Sequence, residues 1–111
     1  MVRSMNRTQE LEVFDWFVDE HYFEPAKNWP KYEFTYRSYC RWALSEIRKS
    51  LVERPNIPVL DILSDLYRTM EDASAEAESK TMIGIKNDKV PVWLIFAVGR
   101  EMTEIVAGLY L

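Results

Sequence analysis

Glycine, cysteine and histidine are all scarce in this 111-residue chain, and each shortage excludes something. Its three glycines, Gly84, Gly99 and Gly108, stand apart from one another, so no phosphate-cradling glycine loop exists. A turn-rich β fold would also need more positions able to adopt positive φ. The one cysteine, Cys40, can form neither an internal disulfide nor a paired-cysteine metal site, and nothing demands an oxidising compartment. The one histidine, His21, leaves no His-Glu-x-x-His pair, and no serine has the flanking glycines of a nucleophile elbow. Long apolar runs are missing too. The most apolar stretch, Val90 to Gly99, is bracketed by Lys89 and Arg100 and falls short of the roughly 20 residues that cross a bilayer. Met1 to Glu10 is polar, without the apolar core of a secretory signal. The expectation is a cytoplasmic protein that does not enter a membrane and carries no cofactor.

What is present is ordinary for a globular chain: 48% hydrophobic and 29% charged residues, with a formal charge of −4. That charge argues against bulk attraction to nucleic acid or anionic lipid, both of which need a basic footprint. The length suits one domain, and no repeat or linker divides it. The prolines, Pro25, Pro30, Pro55, Pro58 and Pro91, fall outside the long periodic stretches, where a helical chain tolerates them.

Apolar residues recur at helical spacing in four stretches. The first spans about residues 8–22, with Thr8 as N-cap and Leu11, Phe14, Val18 and Tyr22 on one face. An irregular, aromatic-rich segment, Phe23 to Phe34, follows. The second helix spans about residues 35–53, on a stripe of Tyr36, Cys40, Ala43, Leu44, Ile47 and Leu51. The third spans about residues 57–79, capped by Asn56 with Pro58 in its first turn, and faces inward with Val59, Leu63, Leu66, Met70, Ala73 and Ala77. Lys80 to Lys89 reads as a connector, with Asp88 as a cap for a fourth helix over about residues 89–110. The fold expected is all-α, an antiparallel bundle of about four helices with the aromatic-rich segment between the first two.

The residues that carry chemistry form a few clusters. Glu12, Asp15 and Asp19 fall within about 60° of one another on the first helix, a spacing that could hold a divalent metal and serve a hydrolase of small phosphorylated molecules. A second acidic cluster would have to face it, and Glu101 and Glu104 are the candidates. His21, beside Asp19 and Glu20, could join a metal or act as a base, but its last-turn position also suits the helix dipole. Cys40 sits mid-stripe, where core burial outweighs a thiolate role with His21. Arg37, Arg41 and Arg48 lie within about 40° of one another beside the second helix's apolar stripe. They could contact phosphate or nucleic acid; the favoured expectation is that they pair with the acidic edge of the first helix. On the third helix Asp61, Asp65, Asp72 and Glu76 lie opposite the core face and would suit water or a basic partner.

Aromatics are the least ordinary feature. Eight of fifteen fall between Tyr22 and Trp42, and by helical angle Tyr39 and Trp42 point away from the second helix's stripe. The first half of the last helix, Val92 to Val98, has no polar face, so it either threads the bundle or meets another subunit. Trp29, Tyr32, Tyr39, Trp42, Trp93, Phe96 and Tyr110 are therefore the candidate interface residues. The function expected is non-enzymatic: a small acidic helical module that acts through a protein partner, with a homodimer as its own assembly. This is a format suited to regulators encoded by phages and mobile elements. A metal-dependent hydrolase is the alternative, and nucleic-acid binding through the arginine ridge a weaker one.

Overall fold

The computed structural model describes residues 5–21, 31–81 and 92–111, and the side chains of these apart from 31–36, 78–81 and 92–93. Four helices carry the described chain: α1 (Arg7–His21), α2 (Lys31–Glu53), α3 (Val59–Thr81) and α4 (Val92–Ala107). They form an all-α bundle in which α4 packs most extensively on α3 and next on α2, while α1 lies against α2. Asp15 meets Arg48, and Arg7 reaches Leu51, so α1 and α2 run antiparallel. Gly99 approaches Met70, and Ala107 shares a groove with Leu60, which sets α3 and α4 antiparallel as well. The helices therefore alternate up and down. One end of the bundle gathers the start of α1, the α2–α3 connection and the C-terminal turns after α4.

Local chemistry sets the boundaries and moves several of them from their expected places. Asn6, not Thr8, caps α1: its Oδ1 accepts from the Gln9 amide at 2.8 Å, and the Gln9 Oε1 accepts from the Asn6 amide at 3.0 Å. This reciprocal capping box settles two orphan groups at once. The helix α2 starts directly after Pro30, so Lys31 to Phe34 belong to it rather than to an irregular segment. At α3 the Pro58 carbonyl, not an Asn56 side chain, begins the ladder, accepting from the amides of Asp61 and Ile62 at 3.1 Å each. The helix α4 stops at Ala107, where tight turns take over, with Gly108, Leu109 and Tyr110 donating to carbonyls three residues back. Tyr22 to Phe23, most of the aromatic segment, the 82–89 part of the connector and the Asp88 cap lie outside the described residues.

The core collects Phe14 and Phe17 of α1, Cys40, Ala43, Leu44, Ile47 and Leu51 of α2, Val59, Ile62 and Leu63 of α3, and Val98, Met102 and Val106 of α4. The α2 stripe from Cys40 to Leu51 is as its spacing predicts, with Cys40 buried in it, while the side chain of Tyr36 lies outside those described. On α1 and α3 the buried face is rolled from the expected one. Phe17 and Ile62 are buried, while Leu11, Val18 and Leu66 sit at the margin. No described helix is long and apolar enough to cross a membrane.

Where α3 and α4 cross, Gly99 removes a side chain so that Met70 can fill the gap; a Cβ there would lie 2.9 Å from the Met70 Sδ. Thr103, itself buried, returns its hydroxyl to the Gly99 carbonyl at 2.7 Å. Alanine at 99 gains roughly 1 kcal/mol of helix propensity and asks only a thioether to move, so Gly99→Ala should be close to neutral. Gly99→Leu should cost about 1–3 kcal/mol by overpacking the crossing, read as a lower urea midpoint.

Two arginines lock α1 to α2 in a reciprocal way. Arg7, at the start of α1, donates to the carbonyls of Leu51 at 2.5 Å, Arg54 at 3.1 Å and Ile57, and its Nε meets Glu10 at 3.2 Å. These carbonyls belong to the end of α2 and the connection after it, where the backbone has no helical donors left. Arg37, near the start of α2, donates to the carbonyl of His21, the last residue of α1, at 2.9 Å. Each helix thus caps the other. Arg7→Met keeps the aliphatic stem and removes the donors; it should lower stability by about 2 kcal/mol in urea unfolding, with little change in helix content.

Candidate functional site

The acidic edge of α1 and the arginine ridge of α2 meet across a shallow groove of about 420 Å3, lined by Phe14, Asp15, Val18, Arg41, Leu44, Ser45 and Arg48. Arg48 grips Asp15 with two bonds, Nε to Oδ1 at 2.9 Å and Nη2 to Oδ2 at 3.2 Å. The hydrogen bond and then the charge of Asp15 raise the pKa of this guanidinium. Both side chains are about half exposed, so the pair contributes less than about 1 kcal/mol. Arg48 therefore pairs with the first helix, as its position beside the stripe predicts. Arg37 also reaches that helix, though its partner is a backbone carbonyl. Arg41 lies exposed on the groove wall.

This pairing takes Asp15 away from the other acids of α1. Glu12 and Asp19 are exposed on the outer face of the helix, away from the groove. Among the described residues no three His, Cys, Asp or Glu side chains come close enough to share a metal ion. Glu104 lines a groove against α3, beside Leu60, Leu63, Ser64, Tyr67, Thr103 and Ala107. His21 is exposed at the end of α1, with its ring 4.9 Å from that of Phe17 at a 49° tilt. Its place in the last turn suits the negative end of the helix dipole.

The described aromatics of the candidate interface turn toward the chain's own fold. Tyr39 and Trp42, placed off the stripe by helical angle, are half-buried against the core because α4 covers that side of α2. Trp42 packs edge-on to Phe96 with centroids 6.0 Å apart. Tyr110 is also packed on the core, and its hydroxyl donates to the Glu10 carbonyl at 2.8 Å. Trp29 lies outside the described residues, and so do the side chains of Tyr32 in α2 and Trp93 in α4.

Exposed apolar surface is found elsewhere. Seven large hydrophobic residues are exposed among the described ones: Met5, Trp16, Val52, Ile57, Leu60, Ile105 and Leu111. All but Trp16 lie at the same end of the bundle: before α1, in the last turn of α2, in the α2–α3 connection, in the first turn of α3, and at the end of α4 and beyond. A cleft of about 590 Å3 opens there, with Met5, Arg7, Ile57, Leu60 and Tyr110 among its walls. Helical spacing gives no signal for these residues, because each sits at a helix end or in the turns beyond one, where periodicity is weakest.

The Tyr110 phenol is pushed up to about 12 from its usual 10, chiefly by burial and next by the Glu10 carboxylate. Its proton is held more tightly in the folded state than in the unfolded one. The stability this represents is complete below pH 10 and is lost as pH rises through about 12. Tyr110→Phe should cost about 1 kcal/mol at neutral pH and flatten the decline in unfolding free energy between pH 9.5 and 11.5, followed by urea titration at each pH.

No protein-family model, curated protein or solved structure matches the chain.

Proposed function

We propose that this chain is a non-enzymatic interaction module of the cytoplasm that acts through protein–protein contacts, beginning with a second copy of itself. The observation that carries this reading is the collection of exposed Met5, Val52, Ile57, Leu60, Ile105 and Leu111 at one end of the bundle. Scattered apolar residues on a surface need no explanation, but a concentration at one end marks a contact. Exposed charges of both signs stand beside it: Glu53, Arg54, Asp61 and Glu104. A two-fold axis through such an end brings the apolar patch of one copy onto the same patch of the other and lets acids meet bases across the seam, as an isologous interface allows.

Sedimentation equilibrium tests it. At tens of micromolar the protein should have the mass of a dimer, and the Ile57→Asp, Leu60→Asp double variant should be monomeric. Both substituted side chains are exposed, so the variant should keep the parent's circular dichroism and melting temperature to within a few degrees. A monomeric parent at that concentration would exclude self-association as the function.

A further inference from the structure

Trp16 is the exposed hydrophobic residue that the bundle end does not explain. It sits mid-helix on α1, 57% exposed, roughly 160° round the helix from the buried Phe14. At 100° per residue, Glu12, Asp19 and Glu20 all fall within about 60° of it, and all three are exposed. The indole is thus bordered by carboxylates one turn before it and one turn after it. No cation of the described chain reaches any of the three acids. The arginines that reach α1 are engaged elsewhere, Arg48 with Asp15, Arg7 with the end of α2 and Arg37 with the His21 carbonyl.

We propose that this face of α1 is a docking surface for a basic segment of a protein partner, in which an arginine or lysine lies over the Trp16 ring. The chemistry is complementary on both counts. A tryptophan face attracts a cation more strongly than any other aromatic side chain, and arginine also stacks its planar guanidinium on the ring. The carboxylates of Glu12, Asp19 and Glu20 can then take the donors that the ring leaves over, and they supply the long-range attraction that speeds encounter. Tryptophan is also among the residues most enriched at binding hot spots. The occupant is a cationic peptide rather than a second copy, because the face carries three negative charges and no positive one, and an identical face would repel it. The inference rests on the reading of the chain as an interaction module but uses a different surface from the bundle end.

The probe is a fluorescein-labelled, amidated hexa-arginine peptide, followed by anisotropy at low salt. Binding should be saturable and should weaken steeply as salt rises. Trp16→Ala should weaken it about five- to tenfold. The triple variant Glu12→Gln, Asp19→Asn, Glu20→Gln should weaken it by about tenfold or more. The reference variant Glu71→Gln, Asp72→Asn, Glu76→Gln removes as many charges from the exposed C-terminal half of α3 and should change affinity less than twofold. Equal losses in the two triple variants, or an unchanged affinity in Trp16→Ala, would show attraction to net charge alone and overturn the proposal; so would no binding. Repeating the titration on the Ile57→Asp, Leu60→Asp variant separates the two surfaces: peptide binding should survive there unchanged whatever the self-association result.

Discussion

A short helix with few buried side chains needs more than apolar contact to stay in place, and α1 is held largely by one guanidinium. Only Phe14 and Phe17 of its residues are buried. Arg7 compensates by binding three carbonyls at the end of α2, so the same bonds that fix α1 also close the exposed end of its neighbour. Arg37 does the equivalent at the opposite end. The acid–base pair between them, Arg48 with Asp15, is half exposed and adds register more than energy. Everything proposed for the outer side of α1 depends on this arrangement, because it directs the helix's basic neighbours inward and leaves its acids facing water.

The parts of the fold that repeat were legible in the sequence, and the parts set by one local contact were not. The α2 stripe of Cys40, Ala43, Leu44, Ile47 and Leu51 could be read from spacing because its small and aliphatic residues recur on one face without a competing apolar stripe on the other. The fifteen-residue α1 offers fewer turns, and Phe17 was hidden by a reading anchored on Leu11 and Val18. The Asn6–Gln9 box carries a sequence signal, an Asn three residues before a Gln at a helix start, though Thr8 competes for the same role. Arg7 carries none, since its carbonyl partners lie 44 to 50 residues away and exist only once the helices have packed. The pairing of the arginine ridge with α1 was legible in direction, from complementary edges, but only Arg48 meets a carboxylate there; Arg37 finds a backbone carbonyl.

The aromatic surplus shows a different limit. Helical angle places Tyr39 and Trp42 relative to their own helix but says nothing about how far round that helix its neighbours extend. Because α4 lies against α2, the side that looks outward on a helical wheel is partly covered. Trp16 is the reverse case, an apolar side chain that stays 57% exposed on a polar face. An isolated tryptophan among acids gives no periodic signal, and it gains meaning only when the faces around it have been assigned.

The contact between Tyr110 and Glu10 joins positions one hundred residues apart. It ties the two ends of the described chain together at one pole of the bundle, outside the interlocked α3–α4 crossing. Mechanical load applied between those ends would therefore fall on the Arg7 bonds and the Tyr110 bond together, both at the same edge of α1. The first helix would peel like an unzipped edge while the remaining three stayed packed.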